Sequence, residues 1–193
     1  GTGTADPERH WLLLEHSSAP LGDLIVPLMK RSDNFFAEQV RWTLLSLYST
    51  EKPLETRYAA LLNDFLNHSG MLDWGVTLVD GSGLSRQNAM SPAGLAKLLA
   101  YAATTVSYPA LYGSLPIAGQ DGTLKSRMCD TLACGNARMK TGTMRGISTL
   151  AGYVTTAGNE RLVVVIMLNG YKNGSAAARK LQDDVVSYLA EVA

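Results

Sequence analysis

The chain contains Ser32-Asp33-Asn34 and, a little over one hundred residues later, Lys140-Thr141-Gly142-Thr143. Both strings are made of residue types that serve acyl transfer. The Ser32 hydroxyl can relay a proton, and the Asn34 amide can hydrogen-bond a substrate carbonyl. Lys140, Thr141 and Thr143 offer positive charge and hydroxyl donors to a carboxylate, while the Thr143 N–H is suited to holding an oxyanion. Glycine in a strand interior often marks a place where a ligand approaches the backbone, so Gly142 would let a peptide-like substrate lie along this strand as an added one. Each string also has a plainer reading. Ser, Asp and Asn are the favoured helix N-caps, and Lys-Thr-Gly can be a surface strand with a bulge. The joint occurrence shifts the balance, because both strings arise together by chance with a probability on the order of one in a thousand.

Covalent acyl transfer also needs an activated nucleophile. A serine followed three residues later by lysine would supply one, but no such pair lies upstream of Ser32. The single formal match, Ser49-Thr50-Glu51-Lys52, falls at the end of a predicted helix directly before Pro53 and comes after Ser32. A helix start is needed to put both side chains on one face, so this match is set aside. The chain therefore reads as the substrate-gripping part of an acyl-transfer enzyme with no nucleophile of its own.

Positioning these strings requires helices in the first part and a sheet in the last. Apolar spacing predicts helices from Leu21 to Arg31, from the Ser32-Asp33-Asn34 cluster to Tyr48 with Phe36, Val40 and Leu44 on one face, and from Leu54 to His68 with Tyr58, Leu61, Leu62 and Phe65 inward. Gly75 to Val79 alternates as a short strand and leads into Asp80-Gly81-Ser82-Gly83-Leu84-Ser85, whose glycines imply an unusual backbone path. A helix capped by Ser91-Pro92 follows, then a long loop. Strands are expected at 138–143, 148–155 and 161–168, forming an antiparallel sheet, and a closing helix at 175–192 should pack Leu181, Val185 and Leu189 on it. The fold class is α+β: an antiparallel sheet of about three strands packed with helices, in one unit spanning 1–193.

Seventeen basic and 17 acidic residues cancel among 193, which removes the field that nucleic acid or an anionic membrane would need. The apolar run Leu162 to Leu168 is too short to span a bilayer and reads as a buried strand. The chain begins Gly1-Thr2-Gly3-Thr4 without initiator Met, so an internal start is expected, and any signal peptide is absent or already removed. Cys129 and Cys134 admit three readings: a local disulfide, two free thiols, or a metal site, the last lacking further ligands nearby. His10, His16 and His68 are scattered, and there is no G-x-S-x-G elbow, phosphate loop or H-E-x-x-H. No metal or cofactor is implied.

Six stretches together carry a more specific signal: Ser18-Ala19-Pro20-Leu21; Met29-Lys30-Arg31-Ser32-Asp33-Asn34; Asp80-Gly81-Ser82-Gly83-Leu84-Ser85; Leu115-Pro116-Ile117-Ala118-Gly119-Gln120-Asp121-Gly122-Thr123-Leu124; Lys140-Thr141-Gly142-Thr143; and Leu150-Ala151-Gly152-Tyr153. From about Trp11 to its end the chain resembles the C-terminal part of the class C low-molecular-mass penicillin-binding proteins. That resemblance implies a β-lactamase/transpeptidase-like fold, present in part, and a serine D-alanyl-D-alanine carboxypeptidase or endopeptidase of the bacterial envelope. In such enzymes a serine attacks the D-Ala-D-Ala bond, releases the terminal D-alanine and passes the acyl group to water, and β-lactams acylate the same serine. It further implies that Ser32 and Asn34 match the second motif, that Lys140, Thr141, Gly142 and Thr143 match the third, and that the nucleophile lies in an N-terminal part outside this chain. The implied partners are stem peptides ending in D-Ala-D-Ala, β-lactams as inhibitors, and that missing segment. The implied location is the periplasm or the outer face of the cytoplasmic membrane. Two rivals remain: a non-catalytic module binding D-Ala-terminated peptides or a protein, and a β-lactamase or esterase of the same superfamily.

Overall fold

The computed structural model describes residues 14–48, 53–71, 75–172 and 174–193. Among the described residues, six α-helices and three strands follow one another in the order α1 (Leu21–Arg31), α2 (Asn34–Tyr48), α3 (Leu54–His68), α4 (Pro92–Ala102), α5 (Tyr108–Ser114), β1 (Arg138–Met144), β2 (Ile147–Thr155), β3 (Arg161–Asn169) and α6 (Ala176–Glu191). A single 3-10 turn, Gly122–Leu124, sits between α5 and β1.

The strands form an antiparallel meander in the order β1-β2-β3, so β1 is an edge. Lys140 pairs with Ala151, and Gly142 pairs with Thr149. Side chains alternate across the sheet, and β2 shows both faces. Leu150 and Val154 join a core with Met139, Val164, and Val186 and Ala190 of α6. Tyr153 points the other way, donating its hydroxyl to Leu99 O of α4 at 2.7 Å and packing edge-on against Tyr108 and Tyr112 of α5. The sheet thus lies between α6 and the α4–α5 pair. The loop before β1 closes one end of the core with Ala118, Leu124, Met128 and Ala133.

Several elements differ from expectation. Gly75 to Val79 is not a strand: it makes one isolated bridge, Thr77 to Ala89, and Val79 N donates to the Asn88 side chain instead of a ladder partner. The loop after α4 contains α5, whose seven residues with Pro109 and Gly113 carry too little helical pattern to stand out. On α6 the buried face is displaced by one position. Ala178, Gln182, Val186 and Ala190 are buried, Leu181 and Val185 are 50% and 36% exposed, and only Leu189 of the expected set packs against the core. Small alanines allow close approach there, and Gln182 is fully buried because Ser148 Oγ and Arg127 satisfy its amide. The same one-residue shift puts Leu45 and Leu66 inside where Leu44 and Phe65 were expected. β3 is half-buried rather than buried, with Val164 its one fully enclosed side chain.

Candidate active site

The α1–α2 junction divides labour among the three residues of its motif. Ser32 ends α1 in the left-handed conformation, φ 56° and ψ 52°, with its N–H bonded to Leu28 O. Asp33 does the capping: its carboxylate accepts the Phe36 N–H at 2.9 Å. The helix-start reading is therefore satisfied by Asp33 alone. Ser32 and Asn34 remain exposed and line a cleft of about 650 Å³.

Lys140 reaches this cleft from β1. Its ammonium donates to Ser32 Oγ at 2.6 Å and to Thr141 O at 2.9 Å, joining residues 108 positions apart. Burial pushes the Lys140 amine below its ordinary value of 10.5, because a low-dielectric surrounding disfavours the charged form. Thr141 Oγ1 lies 2.9 Å from Thr123 Oγ1 of the 3-10 turn. At Gly142 a Cβ would sit 2.3 Å from Thr149 Oγ1, and Gly142, Thr143 and Thr149 all line the cleft. All six residues singled out from the two strings, Ser32, Asn34, Lys140, Thr141, Gly142 and Thr143, thus meet in one cavity.

Residues that the motifs did not single out hold this arrangement. Glu38 of α2 accepts the Gly81 and Ser82 N–H groups at 2.7 and 3.0 Å and pairs with Arg41 at 3.3 Å. Asp80 accepts from Gly83 N, Ser85 N and Asn88 Nδ2. Burial alone would raise the Asp80 carboxyl, but the hydrogen bonds from Asn88, Ser85 and Gly83 and the Arg41 charge outweigh it and hold it below the usual value of 3.8. Gly81 to Ser85 is thereby clamped as one wall of the cleft. Lys30 anchors the other side, bonding both Asp121 oxygens at 2.7–2.9 Å and Leu115 O at 2.6 Å, while Asp121 also accepts the Ile117 N–H. One signal for Glu38 and Arg41 was legible: with Asn34 they recur at helical spacing as a polar stripe on α2.

Beyond Thr143 the cleft continues into a recess of about 840 Å³ lined by Arg86, Arg145 and Lys172, with no carboxylate among the described residues of its walls. Among the described residues no group of three or more His, Cys, Asp or Glu is arranged to hold a metal ion, and no helix is long and apolar enough to cross a membrane. His16 and His68 are exposed, away from the cleft lining. His10 and the Ser49-Thr50-Glu51-Lys52 string lie outside the described residues. Cys129 and Cys134 are both exposed and carry free thiols in this structure, and Cys129 Sγ faces Lys125 O at 3.8 Å.

Comparison with known proteins gives a consistent answer. The chain is 32% identical over 186 residues to the D-alanyl-D-alanine carboxypeptidase DacB of Haemophilus influenzae, covering 94% of this chain and 38% of that protein. It is 36% identical over 196 residues to a D-alanyl-D-alanine carboxypeptidase of Actinomadura, covering 98% and 35%. The crystal structure of penicillin binding protein 4 from H. influenzae superposes with a TM-score of 0.82 at 30% identity, over 92% of this chain and 41% of that one. The TLA-3 extended-spectrum β-lactamase shares the fold, with a TM-score of 0.61 at 14% identity. The chain spans well under half the length of the carboxypeptidases it matches. A family model matches residues 2–192, and on that footing the chain belongs to the D-Ala-D-Ala carboxypeptidase 3 (S13) family.

Proposed function

We propose that this chain is the C-terminal, substrate-gripping part of a serine-type D-alanyl-D-alanine carboxypeptidase or endopeptidase, exported to the periplasm or the outer face of the cytoplasmic membrane. The attacking serine and its lysine partner belong to a segment outside these 193 residues, and the chain alone is inactive. The observation that carries this reading is the 2.6 Å contact between Lys140 Nζ and Ser32 Oγ inside one cleft.

In this reading the Lys140–Ser32 pair passes a proton toward the leaving amine when the D-Ala-D-Ala peptide bond breaks. The depressed basicity of Lys140 makes that transfer easier. The Asn34 amide orients the substrate carbonyl. The stem peptide extends the sheet along β1 beyond Met139, where the outer edge pairs with no described strand; at Arg138 and Met139 that edge is held by Ile117 and Pro116. The Thr143 N–H shares the oxyanion, and the Thr141 and Thr143 hydroxyls bind the terminal carboxylate. β-Lactams enter by the same route and acylate the same serine. The Arg86, Arg145 and Lys172 recess suits an anionic group further along the substrate.

The test uses the full-length protein. Lys140→Ala is expected to lower both D-alanine release and penicillin acylation about 100- to 1000-fold, the range for losing one preorganised electrostatic group. Intact mass after penicillin treatment should show an adduct on the full-length protein and none on residues 1–193. Unaltered rates in the variant, or an adduct on the short chain, would refute the assignment.

A further inference from the structure

Cys129 and Cys134 are placed to act as a pair. A Cβ built on Gly119 would lie 2.4 Å from Cys134 Sγ and 3.4 Å from Cys129 Cα. Cys134 Sγ is therefore within about 6 Å of Cys129 Cα, near enough that rotation of the Cys129 side chain and a backbone shift bring the two sulfurs to bonding distance. Gly119 leaves the space that the Cys134 sulfur occupies; a methyl group there would collide with it, and its φ of +69° disfavours any side chain. On the other side, Met128 has φ 58° and a buried side chain, so the backbone turns sharply just before Cys129 and presents it at the surface. The two flanks of this loop are both tied to Ala118-Gly119: Gly135 N donates to Ala118 O at 2.8 Å and Gly119 N to Leu124 O at 3.0 Å.

We infer that Cys129 and Cys134 form a redox-active pair whose disulfide packs on Gly119 and so clamps the adjoining segment that carries Asp121 and Thr123. That segment holds Lys30 through Asp121 and touches Thr141 through Thr123. The clamp therefore acts on the rear support of the cleft, a consequence that rests on the functional reading of β1, whereas the disulfide itself does not. Chemically, one thiolate attacks a small disulfide such as oxidised glutathione and expels one glutathione thiolate. The second cysteine thiolate then attacks the mixed disulfide and expels the other. Two electrons pass from the cysteines to glutathione, and one protein S–S bond replaces one glutathione S–S bond.

The experiment equilibrates the full-length protein in an oxidising glutathione buffer, then alkylates the remaining thiols and maps the peptides. The wild type is expected to lose both alkylatable thiols without gaining glutathione and to yield a linked peptide containing Cys129 and Cys134. Cys134→Ser is expected to carry one glutathione on Cys129. Oxidised wild type should melt about 2–4 °C above the C129S/C134S double variant, as closing a short loop implies. Glutathione on both cysteines, or two thiols still open to alkylation, would overturn the pairing. A disulfide that forms but leaves the melting temperature unchanged would overturn the clamp. Penicillin acylation is measured separately: its absence with the disulfide intact counts against the assignment of β1 and not against the thiol pair.

Discussion

Glu38 is the sharpest place to test how the cleft wall is held. Its carboxylate accepts two backbone N–H groups, Gly81 at 2.7 Å and Ser82 at 3.0 Å, and its second oxygen pairs with Arg41. A hydrogen bond to a charged group contributes about 1.5–3 kcal/mol, so two would give about 3–6 kcal/mol if fully buried. The side chain is one-quarter exposed, and water can partly replace it, which brings the expected loss for Glu38→Ala to about 3 kcal/mol. Arg41 adds to the penalty, because its Nε is already buried without a partner and the substitution strips the guanidinium of its counter-charge. Glu38→Gln keeps one acceptor oxygen for the loop and loses the charge, so it should cost only about 1 kcal/mol. Denaturant unfolding followed by tryptophan fluorescence reads both values. In the full-length protein the Ala variant should also slow penicillin acylation roughly 10- to 100-fold, since a wall displaced by about 1 Å misaligns the cleft. An Ala variant within 0.5 kcal/mol of wild type, or a Gln variant as damaging as Ala, would refute the claim that this carboxylate fixes the Gly81 to Ser85 wall.

Three further outcomes are expected. Because burial disfavours the charged Lys140 amine, the folded chain releases that proton at a lower pH than the unfolded chain, which holds it to about 10.5. Between those two values the unfolded state binds more protons, so unfolding free energy should rise with pH through that window, and Lys140→Met should remove that rise in pH-dependent denaturant titrations. Gly142→Ala places a methyl 2.3 Å from Thr149 Oγ1 while its next contact is at 3.7 Å, so rotation of one hydroxyl relieves the clash at about 1 kcal/mol. That methyl and the displaced hydroxyl both enter the cleft, and penicillin acylation should fall far more than stability; equal losses in both would count against the cleft assignment. Gln182→Leu should destabilise by about 2 kcal/mol despite adding apolar bulk, as it strips partners from the Ser148 hydroxyl and Arg127, and a neutral result in calorimetry would contradict that network.

Much of this architecture was legible in the sequence. The helices α1, α2, α3, α4 and α6 and all three strands were read within a residue or two, because each has strong periodicity, a capping residue or a Gly-containing hairpin. The misplaced inward faces share one cause. At Leu44/Leu45, Phe65/Leu66 and Val185/Val186 two apolar neighbours compete for one inward position, and which one wins depends on the crossing of the facing element, which local pattern does not encode. The Gly75 to Val79 segment alternates like a strand, yet its N–H groups are claimed by Asn88 and an isolated bridge. At the site, the two motifs could be picked out because both strings rarely occur together by chance. Lys30, Asp80 and Asp121 stood inside strings that carry the resemblance, but the bonds of Lys30 to Asp121, and of Glu38 to Gly81 and Ser82, bring together residues far apart in the chain and are visible only in the folded structure.

The left-handed backbone at Ser32 sets two demands against each other. Without a Cβ a residue adopts that conformation freely, whereas serine holds it at about 1 kcal/mol of strain. Serine is needed there only for the hydroxyl that meets Lys140. A thermal-tolerance screen of this chain that ignores chemistry would therefore enrich glycine at position 32, and the sturdiest clones would be those that had given up the hydroxyl contact with Lys140. Engineering toward robustness has to start elsewhere, at positions whose backbone and side chain ask for the same residue.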